Sequence, residues 1–438
     1  MLTSQDQYIK REAKSKLTIY IFASIISFLI NYLCVNKLDN IATIVSIVFL
    51  LFVFIQPIED YLCYIVLAIP SSRTMELFSV SISVWICVEY LLRRVIKRKI
   101  TIRKDLAIPL VIYMLYAIQY YVRFNSFMYG FLQPAKMIAV LWFLYSYLLD
   151  ENSILKDYRK IRIIFYAWMF GIVTALFPVL LTSNAIGRLS ALNNDSNLLS
   201  VQAVFVLACL SVMYMNKTKL ISFTVYLTSI LFSLMICLMC GSRNGFLLLS
   251  IVLVSTILFN NTGNRIGKNF LIIIGIAAII GFTISTSFVQ SHISSIQRRL
   301  SLLEQSGNIS NGRFALWEEY IDVFNSNIGL WLFGLGTYTF YGLPQMAHNL
   351  FLEDVASYGI VGIVILLFAY YSVMQNAFYQ TSSQIIVRKS ITRRIYNIIP
   401  FLVPIIGGMT LHSLTSLPNT IMLYIGIVLY AISGEERG

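Results

Sequence analysis

The chain has 438 residues, of which 58% are hydrophobic and 12% charged, and its mean hydropathy is +0.76. A water-soluble fold cannot hide that much apolar surface, so soluble classes are excluded and one integral membrane domain over residues 1–438 is expected. The net charge of +13 would suit a nucleic-acid binder in a soluble protein; in a membrane protein the positive-inside rule accounts for it, and no nucleic-acid partner is expected.

The first apolar run, Leu17 to Val35, is too long for a signal-peptide core and lacks a small-residue cleavage site after it, so it reads as a signal-anchor and first span. At roughly 20 residues per span, further candidates follow at 40–56, 58–70, 76–92, 106–122, 131–149, 162–181, 197–215, 220–240, 244–259, 270–289, 349–374, 395–411 and 416–432. The expected fold is therefore an all-α integral membrane protein of about 12–14 transmembrane helices. Residues 58–70 are short and lie between Pro57 and Pro70, which fits a broken or tilted segment. The long polar interruption at 290–348 carries Trp317, Trp331 and several glycines, and reads as one large folded loop inserted between spans. Cys237 and Cys240 have metal-ligand spacing, but no second ligand pair accompanies them. All six cysteines fall in apolar runs and read as small buried hydrophobes.

Basic clusters set the orientation. Lys10 to Lys16, Arg93 to Lys104, Lys156 to Arg162, Lys217 with Lys219, Arg265 with Lys268, and Arg388 to Arg394 all fall on the side of the N-terminus if 58–70 crosses. That side is expected to be the cytoplasm, with both termini there and the 290–348 loop outside. Few cations remain on the outer face: Lys37, Arg73, Arg123, Lys136, Arg188, Arg243, Arg298, Arg299 and Arg313. Arginine suits bidentate contact with phosphate or carboxylate, so several together point to an anionic ligand, although any one alone is better explained by headgroup or loop contacts.

Four segments carry candidate chemistry. Gly187-Arg188-Leu189-Ser190, followed by Asn193 to Asn197, joins two spans. Cys240-Gly241-Ser242-Arg243-Asn244-Gly245 forms a tight outward hairpin with Arg243 at the membrane surface. Asn311-Gly312-Arg313-Phe314 leads into a helix with Arg313 at its start. Phe314, Trp317, Ile321 and Phe324 make its apolar stripe, for which packing is the preferred role, and Glu318, Glu319 and Asp322 face away. Gly334-Leu335-Gly336 then supplies backbone freedom. His348-Asn349 with Leu352, Glu353 and Asp354, running on to Gly359 and Gly362, closes the loop where the next span begins. A neutral imidazole there can accept a proton from a hydroxyl; a hydrogen-bonded interfacial histidine is the plainer alternative, and it is the reading adopted for His292 and His412. Buried carboxylates are costly in a span, so at least one of Glu353 and Asp354 should face protein or water.

In order and spacing, Ser242-Arg243-Asn244-Gly245, Gly312-Arg313 with Trp317, Gly334-Leu335-Gly336, His348-Asn349 with Leu352, and Gly359 with Gly362 resemble the O-antigen polymerase (Wzy-type) and O-antigen ligase superfamily. The resemblance covers the second half well and the first half only in span layout. It implies a GT-C-like helical architecture and a glycosyltransferase of the bacterial inner membrane working at the periplasmic face. The implied donor is a glycan on undecaprenyl diphosphate, and a sugar hydroxyl of the acceptor attacks its anomeric carbon. By the same resemblance His348 is the general base, and Arg243 and Arg313, with Arg188 as a third, hold the diphosphate. Asn349 and Glu353 are supporting residues, and no metal or other cofactor is needed. The implied partners are membrane lipid, the undecaprenyl-diphosphate-linked oligosaccharide and a chain-length regulator protein. Polymerase activity on a lipid-linked repeat unit, in O-antigen or capsule synthesis, is favoured over ligation to lipid A core on a family-level prior. A lipid-linked oligosaccharide flippase is the alternative from another class. It would show repeated halves and charges along a central pathway, whereas here there is no clear repeat and only Glu89, Lys136, Glu353 and Asp354 are charged within spans.

Overall fold

The computed structural model describes residues 4–97, 99, 103–157, 160–182, 195–216, 221–259, 301, 313–336, 341–382, 396–408 and 416–432. Arg188, Arg298, Arg299, His292, His412, the expected span 270–289 and much of the 290–348 loop lie outside these residues.

The described elements are α1 Ser4–Val35, α2 Asp39–Ile55, α3 Tyr61–Ala68, a β1 Glu76–Leu77/β2 Val80–Ser81 hairpin, α4 Ile82–Ile96, α5 Lys104–Phe124, α6 Gln133–Leu149, α7 Arg162–Thr182, α8 Ser196–Met215, α9 Phe223–Cys240, α10 Arg243–Phe259, α11 Arg313–Ser326, α12 Ile328–Phe333, α13 Leu350–Ser382, α14 Ile399–Gly408 and α15 Leu417–Ile432. Among the described residues seven helices are long and apolar enough to cross a membrane, with shorter apolar helices at α2, α10, α14 and α15. The fold is an all-α polytopic membrane protein, and the one sheet among the described residues is the two-stranded hairpin.

The central element is α8, 89% buried, which packs against α7, α9, α10, α14 and α15. Small residues let backbones approach where lipid offers no hydrophobic drive to pack. A Cβ at Gly245 of α10 would sit 2.6 Å from Ser200 on α8, and one at Gly407 of α14 would sit 2.8 Å from Val201. Polar pairs join the helices further: Trp168 Nε1 donates to Gln202 Oε1 at 3.0 Å, and Ser27 pairs with Thr174 at 3.2 Å.

The short segment around α3 does cross. Lys16 of α1 pairs with Asp60 at 3.5 Å, whereas Cys34 of the same helix donates to the Thr74 carbonyl at 3.7 Å. Those two positions on α1 are separated by roughly 27 Å along the helix axis. The crossing is broken, as its prolines predict: α3 has one 3-10 turn before it and another after, and every residue of α3 is buried. The next span is corrected. Residues 76–81, expected to open it, form the hairpin instead, and α4 begins at Ile82.

Following the helices up and down gives the bundle two distinct ends. Lys16, Asp60, Arg93, Arg94, Asp105 and Asp150 cluster at one, which we call the basic end. The other holds the hairpin, the N-termini of α8, α10, α11 and α13, and His348.

Candidate active site

The site is built from the ends of helices. Ser242 Oγ accepts the Gly245 N–H at 3.1 Å and so caps α10, leaving Arg243 as its first residue. Gly241, at φ +54°, ends α9 and makes the hairpin tight. Asn244 Nδ2 donates to the Gly407 carbonyl at 3.0 Å, fixing that end of α10 on α14. Arg313 opens α11, and Asp195 caps α8 by accepting the Asn197 N–H at 2.7 Å.

Arg243 and Arg313 are close enough to feel each other's charge. Burial first, and the Arg243 guanidinium second, hold Arg313 below its usual range, while Asp195 opposes both. An arginine lowered in this way keeps its charge. The arrangement is two cations sharing a corner made by three helix N-termini, with no salt bridge to either of them among the described residues. Such a corner is complementary to a multiply charged anion.

The histidine is held from two sides. On α11, Trp317 Nε1 donates to the Ala347 carbonyl at 2.8 Å and Tyr320 Oη donates to Gln345 at 2.9 Å, so this helix clamps the strand that leads into His348. On α13, the Glu353 carboxylate accepts the His348 backbone N–H. His348 itself adopts φ +49°, a left-handed conformation that a residue other than glycine keeps only when its surroundings impose it. Because Arg313 and Trp317 are one turn apart on α11, one helix carries Arg313 and supports the histidine segment.

One sequence expectation is corrected here. The inward stripe of α11 is Leu316, Tyr320 and Phe324 with Trp317 beside it, whereas Phe314 and Ile321 are exposed. Asn349 is a helix cap, its Oδ1 accepting the N–H groups of Phe351 at 3.0 Å and Leu352 at 3.2 Å, which places its side chain on the backbone of α13. Asp354 is buried, and Glu353 sits in the first turn of α13.

The glycine motifs are two faces of one contact. Gly334 and Gly359, at φ +77° and +63°, abut so closely that a Cβ on Gly334 would lie 2.7 Å from the Gly359 nitrogen. The Leu335 N–H donates to the Ala356 carbonyl at 2.6 Å across this contact, and Gly359 kinks α13. Arg123, one of the outward cations, is structural: it reaches the Gly334 carbonyl at 3.5 Å and lies over the Phe124 ring.

A cavity of about 360 Å³ that sequence reasoning did not find reaches Met346, two residues before His348, and Glu353. Arg73, Glu76, Lys136 and Glu353 line it, with Tyr120, Tyr129 and Tyr320. Lys136 donates to the Ser79 carbonyl at 2.7 Å, which ties α6 to the hairpin. Arg73 and Lys136 were legible as cations on the outer face, but Glu76 carried no signal, being placed at the start of a span.

Comparison with known families bears on the class. Residues 227–367 match the O-antigen ligase family. The O-antigen ligase segment contains Arg243, Arg313, Trp317, His348, Glu353 and the paired glycines, and over it the resemblance to the O-antigen ligase and polymerase superfamily is shown. No curated protein matches the chain. The match supports membrane glycan transfer of the O-antigen ligase and polymerase type.

Proposed function

We propose that the protein is a polysaccharide polymerase of the bacterial inner membrane. It transfers a growing glycan from undecaprenyl diphosphate to a sugar hydroxyl of a lipid-linked repeat unit, with the His348 end facing the periplasm. In the transfer, His348 takes the proton of the acceptor hydroxyl as its oxygen bonds to the anomeric carbon. The bond from that carbon to the diphosphate breaks, and undecaprenyl diphosphate leaves with the electron pair. Two negative phosphates then need positive charge in a site shielded from water, and Arg243 and Arg313 supply it. Transfer therefore needs no added divalent metal. The observation that carries the reading is the like-charged Arg243–Arg313 pair at converging helix N-termini, one helical turn from the clamp on the histidine segment. The basic end, with Lys16, Arg93 and Arg94, then faces the cytoplasm by the positive-inside rule.

The test is reconstitution. Purified protein given a lipid-linked repeat unit should build a ladder of polymer lengths, in the presence of a chelator as well as in its absence. His348→Ala and Arg243→Ala should each abolish the ladder. Transfer only when lipid A core is supplied would identify a ligase instead, and movement of intact lipid-linked glycan across vesicles without new bonds would identify a flippase.

A further inference from the structure

The cavity is set apart from the arginine pair but adjoins it through shared elements. Arg313 opens α11 and Tyr320, two turns along, lines the cavity; Asp195 caps α8 and Leu198 lines it. Its charges balance, since Arg73 interacts with Glu353 and Lys136 with Glu76. Two carboxylates in the wall oppose a diphosphate, and four charged side chains set among its apolar ones disfavour an isoprenoid tail. Carboxylates, a guanidinium, an ammonium and tyrosines in one space of this size are what a polyhydroxyl ring requires. Acceptors and donors alternate to match vicinal hydroxyls, and flat rings meet its C–H face. Glu353 also offers an open acceptor here: its Oε2 is buried without a hydrogen-bond partner among the described residues.

Resting on the glycan-transfer reading above, we propose that this cavity is the acceptor subsite. It holds the sugar whose hydroxyl is presented to His348, with Arg73, Glu76, Lys136 and Glu353 reading the neighbouring hydroxyls. The donor is assigned to the arginine corner instead. Its anomeric carbon is bonded to the diphosphate and must stay beside Arg243 and Arg313, neither of which lines the cavity. Glu353 is where the two functions meet, because one carboxylate both faces the subsite and takes the backbone N–H of the histidine.

The experiment measures sugar binding without the lipid. The probe is the oligosaccharide released by mild acid from the lipid-linked glycan that accumulates in cells lacking this chain. Its binding to the full-length protein in nanodiscs is followed by saturation-transfer NMR. Wild type and the Arg243→Ala/Arg313→Ala double variant should bind equally, within about twofold. Arg73→Ala and Glu76→Ala should each weaken binding at least tenfold. Ser357→Trp, which fills the space from α13 while leaving every charge in place, should abolish it, with thermal melts confirming that the variants are folded. Wild type that does not bind, unchanged affinity in the three cavity variants, or loss confined to the arginine double variant would each overturn the proposal. A failed ladder with cavity-dependent binding would remove the polymerase reading and leave the subsite standing. A working ladder whose KM for a short acceptor ignores all three cavity variants would remove the subsite and leave the polymerase.

Discussion

The two ends of the bundle treat charge in opposite ways. At the basic end, cations sit on anions: Arg94 contacts Asp150 at 2.8 Å, Lys16 reaches both Asp60 and Glu59, and Arg93 is held by Tyr61 at 3.2 Å and lies over the Phe54 ring. At the histidine end, Arg243 lies close enough to Arg313 to act on its charge, and among the described residues the Glu353 carboxylate keeps an oxygen without a hydrogen-bond partner. A paired charge holds the fold together, whereas charge left uncompensated inside protein destabilises it and persists where a ligand completes it. The comparison locates the working end without reference to which compartment it faces.

It can be broken by substitution. Removing the proposed base with His348→Ala should slow transfer by about 10²–10⁴-fold while leaving the melting temperature nearly unchanged; the rate of ladder formation checks this. Arg243→Ala should cost about 10²–10³-fold in the same assay, in line with loss of one transition-state donor. It should not lower thermal stability, because it relieves a like-charge contact. Arg94→Ala should do the reverse. Stranding the partly buried Asp150 costs about 3–5 kcal/mol of stability, visible as a lower melting temperature, while the folded fraction turns over normally. Gly359→Ala should destabilise by about 1–3 kcal/mol, since φ +63° and the Leu332 carbonyl both oppose a Cβ there. Trp317→Phe should cost less stability than Arg94→Ala or Gly359→Ala, about 0.5–1.5 kcal/mol for one hydrogen bond, yet its loss in transfer rate should exceed that figure if the Ala347 contact holds His348 in place.

Much of the scaffold was readable from the chain because apolar run length and proline position are local properties. The broken crossing at α3, the helix starts at Arg243 and Arg313, and the left-handed Gly334 and Gly336 follow from Pro57, Pro70, Ser242 and the glycine spacing. The hairpin at 76–81 was hidden because its turn residues, Phe78 and Ser79, both have positive φ, a conformation usually announced by Asn or Gly. On α11 the period was visible but its phase was not. Two apolar stripes exist, and contacts with residues 345–347 select Leu316 and Tyr320 over Phe314 and Ile321. The cavity was invisible for a different reason. Arg73, Lys136 and Glu353 come from three distant stretches, and only the packing of α6, α13 and the turn before the hairpin brings them to one wall.

The helix that begins at Arg313 also grips the peptide before His348 through Trp317 and Tyr320. Mechanically it is a single rod with both tools mounted on it. Any tilt displaces the two together, so engagement at one tip is felt at the other without a relay of intervening side chains.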